Sequence, residues 1–184
     1  MIYLDYSANT PVDPAVLDIY CKTELAYIAN PNSTHCAGQA ARAEMARVTE
    51  SIASQLGVQP AEIIYTSGAS EANNLALFGA AQARKRLGNK IVTTAAEHDS
   101  VLNPCRELEK QGFEIVYVKP DSSGHLPSEA LAAAIDQNTI LVSCMLVNNE
   151  TGAIFPVEEA ARAIRRSKAP ALLHVDAVQA FGKL

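Results

Sequence analysis

Asp176 follows an apolar run, Ala171 to Val175, that is typical of a buried strand. A carboxylate taken out of water costs free energy unless a cation or hydrogen-bond donors face it. Gln179 adds an amide to the same strand end. One group that needs such an acid is the protonated ring nitrogen of a pyridine cofactor, so Asp176 is the first candidate for a ligand contact.

A second candidate site is the segment Thr66 to Asn73, which reads Thr-Ser-Gly-Ala-Ser-Glu-Ala-Asn. A glycine-containing turn that leads into a helix offers free backbone N–H groups and the positive end of the helix dipole, and both favour an anion. Ser67 and Ser70 add hydroxyl donors. The same residues also suit an ordinary helix start with Glu71 in its first turn. The glycines of a Walker or dinucleotide motif are absent.

Two more polar groups follow apolar runs. His98 carries a flat imidazole that can stack on an aromatic ligand or transfer a proton, although a lone histidine is more often structural. Asn148 and Asn149 can donate to a phenolate oxygen, and Asn-Asn near a glycine is also ordinary turn chemistry. Because ligand-type groups follow four separate strand patterns, we favour one shared ligand site over four unrelated coincidences.

The elements that must position these groups alternate between strand and helix patterns. Asp13 and Pro14 suit a helix start, and Gly57 suits a helix end. The alternation predicts an α/β fold with a largely parallel sheet covered by helices on both faces, and ligands then collect at the carboxyl ends of the strands. The predicted strands are 2–5, 63–67, 90–96, 114–119, 139–147 and 171–175, and the predicted helices are 14–27, 38–56, 70–87, 100–111, 128–136 and 157–168.

Composition narrows the class of protein. A length of 184 residues favours one domain, and a net charge of −5 without a basic cluster argues against a nucleic-acid or anionic membrane partner. The first residues have neither the basic nor the apolar region of a signal peptide, and no segment has the length of a membrane span. We therefore expect a cytoplasmic protein.

The cysteines are widely separated and form no Cys-x-x-Cys pair. Their spacing predicts neither a disulfide framework nor a zinc site, and we expect no metal. They are Cys21, Cys36, Cys105 and Cys144.

Taken together, these motifs resemble the class V aminotransferase family, most closely the cysteine desulfurases. The resemblance runs from end to end of the chain and rests on six segments. They are Tyr3 to Pro11, Asn30 to His35, Thr66 to Glu71, Glu97-His98, Val147 to Glu150 and His174 to Gln179. Such enzymes use pyridoxal 5′-phosphate (PLP) and work as homodimers. The implied fold is a three-layer α/β/α arrangement with a mostly parallel mixed sheet, the large domain of fold type I, here truncated.

The resemblance also implies a role for each matching residue. Ala69 and Ser70 would hold the PLP phosphate, and Ser70 keeps the hydroxyl of the threonine that is common there. His98 would stack on the ring and act as a catalytic group that moves protons. Asp176 would pair with the ring nitrogen. Two amides would bond the phenolic oxygen, and these belong to Asn149 and Gln179.

One departure from the family pattern concerns the Schiff-base lysine, which should follow a histidine in a Ser-x-His-Lys segment. No lysine of this chain follows a histidine, and Lys183 matches only the beginning of the connection towards that segment. The nucleophilic cysteine and the small domain should lie further on. Residues 1–184 are therefore expected to be the amino-terminal portion of the PLP-binding large domain, as an expressed fragment, a proteolytic remnant or a truncated gene product.

The implied activity is removal of sulfur from L-cysteine, which gives L-alanine and an enzyme persulfide. The sulfur would pass to an acceptor protein for iron–sulfur clusters or thiolated RNA. Transamination and selenocysteine cleavage are alternatives within the family. A non-catalytic fragment without cofactor is the alternative of another class, and the missing lysine favours inactivity of the isolated chain.

Overall fold

Strand β1 (Lys90–Thr94) lies between β2 (Glu114–Val118) and β3 (Thr139–Ser143) in the computed structural model, which describes residues 2–184. Strand β4 (Leu172–His174) pairs with β3, so the strand order is β2-β1-β3-β4. All three pairings are parallel. The prediction of an α/β fold built on a parallel sheet is confirmed.

Helices cover both faces of this sheet. Consecutive residues of a strand point to opposite faces, and Ile91 and Val92 of β1 accordingly belong to two different apolar clusters. Ile91 packs with buried residues of α3 (Ala69–Arg84) and α4 (Asp99–Lys110), namely Leu77, Ala81, Val101, Cys105 and Leu108. Val92 packs with buried residues of α5 (Ser128–Ala134) and α6 (Val157–Ser167), namely Leu131, Ala160 and Ala163. The three-layer prediction is confirmed.

Internal contacts divide the chain into two units, Met1–Tyr65 and Thr66–Leu184. The first unit contains α1 (Pro14–Ala26), α2 (Cys36–Leu56) and a short 3-10 helix (Pro60–Glu62). The second contains the sheet, its four covering helices and all the candidate site residues. The single-domain assignment stays a prediction.

The helix boundaries of the first unit follow from local chemistry. The Asp13 carboxylate accepts a hydrogen bond from the Ala15 N–H at 2.7 Å and caps α1, as predicted. Helix α2 ends at Gly57, whose φ of 67° is a left-handed conformation that glycine adopts without a side-chain clash. Helix α1 buries none of its residues, so its apolar side chains are exposed.

Two of the predicted strands are wrong. The segments 2–5 and 63–67 contain no strand. A strand needs a neighbour for its backbone N–H and C=O groups, and neither segment pairs with another strand within residues 2–184. Ile64 and Tyr65 are exposed, so their apolar pattern does not reflect burial here.

No helix among the described residues is long and apolar enough to cross a membrane.

Candidate active site

The carboxyl ends of three adjacent strands form the candidate site, because β1, β3 and β4 lie side by side. Beyond Ser143, the chain of β3 continues to bond to that of β4: the Cys144 N–H donates to the His174 carbonyl at 3.1 Å, and the Leu146 N–H donates to the Asp176 carbonyl at 3.0 Å. These two hydrogen bonds hold the backbone of Asp176 beside the end of β3. The predicted strand 139–147 therefore ends early as a regular strand but keeps its positioning role.

Asp176 is 8% exposed and accepts two hydrogen bonds. Its Oδ2 accepts from Asn73 Nδ2 at 2.8 Å, and its Oδ1 accepts from the Val178 N–H at 3.0 Å. No lysine, arginine or histidine forms an ion pair with Asp176 within residues 2–184. A buried carboxylate with uncharged donors only has the capacity to pair with a cationic ligand.

His174 lies at the end of β4, between Ser143 and Asn73. Its Nδ1 is 2.8 Å from Ser143 Oγ, and its Nε2 is 3.2 Å from Asn73 Oδ1. Burial lowers the pKa of His174, and the nearby charge of Asp176 opposes that effect. Burial therefore favours the neutral imidazole, in which one ring nitrogen donates and the other accepts.

Glu97 is a second buried carboxyl group, which the sequence reasoning did not select. It is 5% exposed, and its Oε1 accepts from the Met145 N–H at 2.8 Å and from Thr94 Oγ1 at 3.0 Å. Its Oε2 is buried without a hydrogen-bond partner among the described residues. Burial raises the pKa of Glu97 to about 7, against these two hydrogen bonds, and the charge of Asp176 adds to the rise. In the sequence, the signal for Glu97 was its position directly after the apolar strand pattern 90–96.

His98 is exposed and forms the N-cap of α4. Its Nδ1 accepts from the Ser100 N–H at 3.1 Å and lies 2.8 Å from Ser100 Oγ. Two cavities adjoin this imidazole. One, of about 470 Å³, also contacts Ser70, and the other, of about 450 Å³, also contacts Asn149. His98 thus lines one cavity with Ser70 and the other with Asn149, both of which are predicted site residues.

Asn148 and Asn149 differ in what they do. The Asn148 side chain is buried and accepts from the N–H groups of Glu150 and Thr151 at 3.0 and 2.9 Å, while its amide donates to the Ala96 carbonyl at 2.9 Å. Asn148 therefore fixes the turn. Asn149 is half-buried and lines the second cavity.

The start of α3 carries the predicted anion turn. Gly68 is the N-cap and provides no side-chain hydrogen bond, so Ala69 and Ser70 begin a helix whose first N–H groups lack a side-chain cap. Ser67 does not serve as a free donor, because its N–H and Oγ donate to Glu71 Oε2 at 2.7 and 2.6 Å. These bonds lower the pKa of Glu71.

Three predicted residues lie outside the two cavities at His98. Ala69 is exposed at the start of α3, Asp176 is buried, and Gln179 is half-buried in the turns after β4. Asp176 is nevertheless connected to His98, because Asn73 Nδ2 also donates to Ser100 Oγ at 2.9 Å. Asn73 was not selected from the sequence. In a helical pattern it is only one polar residue among several, and nothing local marks it as buried.

A parallel α/β sheet with a buried acid, a helix start without a side-chain cap and an imidazole near its strand ends is an architecture typical of a cofactor-binding enzyme domain. Comparison with known families gives the same result: the aminotransferase class-V family matches residues 2–184. The chain belongs to this family, and the family's cofactor is PLP.

The chain is also similar to individual proteins in sequence and in structure. The chain is 42% identical over 186 aligned residues to the cysteine desulfurase IscS of Shewanella sediminis, covering 100% of this chain and 46% of the relative. A solved NifS-like protein has a TM-score of 0.94 and 39% identity, covering 100% of this chain and 50% of that one. A structure described as SspA in complex with cysteine has a TM-score of 0.88 and 38% identity, covering 98% and 52%. The chain spans about half the length of the relatives that it matches.

Proposed function

We propose that the protein containing these residues is a PLP-dependent cysteine desulfurase, which converts L-cysteine to L-alanine and retains the sulfur as an enzyme persulfide. The single observation that carries the proposal is Asp176, a buried carboxylate that has uncharged donors and no cationic partner within residues 2–184. A protonated pyridine nitrogen is the cation that such a site accommodates. The identity to cysteine desulfurases over the whole chain supports the choice of reaction.

The residues present fit PLP in their chemistry. Asp176 would hold the positive charge at the ring nitrogen, and the first N–H groups of α3 at Ala69 and Ser70 would bind the phosphate. When bound, the cofactor supplies an electron-withdrawing ring that stabilises negative charge on the substrate's Cα. The amides of Asn149 and Gln179 would orient the phenolic oxygen.

His98 would contact the face of the ring. Its Nδ1 is occupied by Ser100, so its Nε2 is the nitrogen that would hold or move a proton.

We further propose that residues 1–184 are the amino-terminal portion of the PLP-binding large domain. Within them no lysine follows a histidine, so the lysine that anchors PLP and the cysteine that takes the sulfur are proposed to belong to the rest of the protein. Relatives of about twice this length support that division. A homodimer in the cytoplasm, which passes sulfur to an acceptor protein for iron–sulfur clusters or thiolated RNA, completes the proposal.

Reversible PLP binding to the 184-residue chain tests the site itself. Equilibrium dialysis should show binding that Asp176→Ala weakens at least about tenfold, the equivalent of 1.4 kcal/mol for the lost ion pair. Asp18→Ala, an exposed aspartate of α1, is the matched control and should bind PLP like the parent chain. Equal affinities of the Asp176 and Asp18 variants, or borohydride trapping of PLP on one specific lysine of this chain, would contradict the site.

The activity is tested on the whole protein. L-Cysteine and a thiol reductant should give sulfide and alanine in equal amounts. Turnover of selenocysteine alone, or amino-group transfer without sulfide, would overturn the desulfurase assignment while leaving the PLP site intact.

A further inference from the structure

We propose that Asn73 is a positioning residue that connects the charge of Asp176 to both imidazoles, and thereby determines which nitrogen of His174 carries the proton and whether His98 Nδ1 accepts from the Ser100 hydroxyl. The relevance of this network to catalysis rests on the proposed function, in which Asp176 and His98 contact the same cofactor ring. The hydrogen-bond chain itself is a property of this chain's own residues.

The Asn73 amide is the centre of the chain of hydrogen bonds. The residue is 5% exposed and lies on α3, between α4 and the end of β4. Its Nδ2 donates to Asp176 Oδ2 at 2.8 Å and to Ser100 Oγ at 2.9 Å. Its Oδ1 lies 3.2 Å from His174 Nε2. Both amide hydrogens and the carbonyl oxygen are therefore in use.

A carboxylate accepts hydrogen bonds and cannot donate one, so Asp176 requires the NH₂ side of the Asn73 amide. Amide orientation is otherwise assigned from the network, and here the charge decides it. The Oδ1 atom then faces His174, whose Nε2 must carry the proton. With one proton on the neutral ring, His174 Nδ1 accepts from the Ser143 hydroxyl at 2.8 Å.

The other branch of the network leads to His98. Because Ser100 Oγ accepts from Asn73, its own hydrogen is available for His98 Nδ1 at 2.8 Å. The same nitrogen accepts from the Ser100 N–H at 3.1 Å. Neutral His98 is thus held with its proton on Nε2, and it offers a hydrogen-bond donor to whatever occupies the adjoining cavities.

Neutralising residue 176 should reverse the assignment of His174 and remove the Ser100 hydroxyl bond of His98. In Asp176→Asn the side chain has one oxygen, and the Val178 N–H at 3.0 Å requires it. The new NH₂ group would then face the NH₂ of Asn73, which is a donor–donor conflict. Rotation of the Asn73 amide removes the conflict. Its Oδ1 then accepts from Asn at 176 and from Ser100, while its Nδ2 donates to His174.

Imidazole ¹⁵N NMR of the chain without PLP tests the proposal. At alkaline pH, above the ordinary titration range of imidazole, the unmodified chain should show protonated Nε2 and unprotonated Nδ1 on both His98 and His174. In Asp176→Asn the His174 proton should move to Nδ1, and His98 should lose the Ser100 hydroxyl bond. An opposite tautomer in the unmodified chain, or a folded Asp176→Asn variant with unchanged His174 nitrogens, overturns the proposal.

Further variants separate transmission from general structural disturbance. Ser100→Ala should change only the His98 nitrogens, because it removes one branch. Asn73→Leu should abolish the response of His98 to Asp176→Asn. Asn74→Ala, the next residue of α3, is the matched control and should leave both imidazoles unchanged, because its amide donates to the Ser70 carbonyl.

Failure of this proposal and failure of the PLP site give different results. If His98 and His174 show the expected tautomers and respond to Asp176→Asn, but the chain does not bind PLP, the proposed function alone is rejected. If Asp176→Ala weakens PLP binding but Asp176→Asn leaves the imidazole ¹⁵N signals unchanged, the positioning role of Asn73 alone is rejected.

Discussion

Asp176 and Glu97 lie on either side of β3 and are almost equally buried, at 8% and 5% exposure, yet their surroundings differ. Each oxygen of Asp176 accepts one hydrogen bond. Glu97 takes both of its hydrogen bonds on Oε1, and its Oε2 has no partner among the described residues. Burial raises the pKa of Glu97 to about 7.

The comparison shows that two almost equally buried carboxyl groups differ in how completely hydrogen-bond donors surround them. Donors on both oxygens replace the lost water around Asp176, whereas one oxygen of Glu97 has lost water without replacement. The end of β4 therefore holds a buried carboxyl group with a hydrogen-bond donor on each oxygen. The end of β1 holds a group that is easily protonated near neutral pH.

Glu97→Gln should give the largest effect on stability. Because the pKa of Glu97 rises from 4.5 to about 7 on folding, the folded state binds its proton more tightly. The contribution of Glu97 to stability is greatest below pH 4.5 and falls by about 3 kcal/mol as the pH rises to about 7. The uncharged variant should keep that free energy above pH 7, as measured by urea unfolding across pH.

The informative quantity is the difference between the two chains, since other carboxyl groups titrate in both. The difference should be small below pH 4.5 and should favour the variant above pH 7. A difference that does not change with pH would mean that Glu97 has an ordinary pKa in the folded state.

Thr94→Val should give an intermediate effect. The buried Thr94 hydroxyl donates to Glu97 Oε1 at 3.0 Å, and valine keeps the shape without the donor. We expect a loss of about 1 kcal/mol where Glu97 is neutral and about 2 kcal/mol where it is charged, because hydrogen bonds to charged groups are stronger.

Thr93→Val is the matched control for this change. Thr93 is equally buried, and its hydroxyl has no hydrogen-bond partner within residues 2–184, although the weakly polar Cys105 thiol is nearby. Its replacement should be neutral or stabilising. Equal losses from both valine variants would show that the hydroxyl of Thr94 does not stabilise Glu97.

Asp136→Asn should give the smallest effect, with the opposite dependence on pH. The Lys90 ammonium lies 2.8 Å from Asp136 and lowers the pKa of this half-exposed carboxyl from 3.8. Its contribution to stability is present above that value and is lost as the pH falls through the lowered pKa. We expect a loss below about 1 kcal/mol at neutral pH in thermal unfolding. A loss of stability relative to the native chain that is larger in acid than at neutral pH would contradict this assignment.

Local patterns predicted most of the second unit. The strands at 90–96, 114–119 and 171–175 and the four covering helices are present with shifted ends, because apolar periodicity and turn residues act within a few positions of each other. The strand at 63–67 failed for a non-local reason. Its apolar residues suit a strand, but pairing depends on a neighbour that residues 2–184 do not supply.

The sequence by itself determined the α/β class, the family and the acid at 176, since each is written in residue type and short-range spacing. Only the tertiary structure decided which residues those groups contact through hydrogen bonds. Asn73 meets Asp176 across 103 positions of sequence, and Glu97 meets the Met145 N–H across 48. Contacts of that kind depend on which strands and helices become neighbours. Burial then makes each hydrogen bond and each electrostatic interaction stronger than it would be in water.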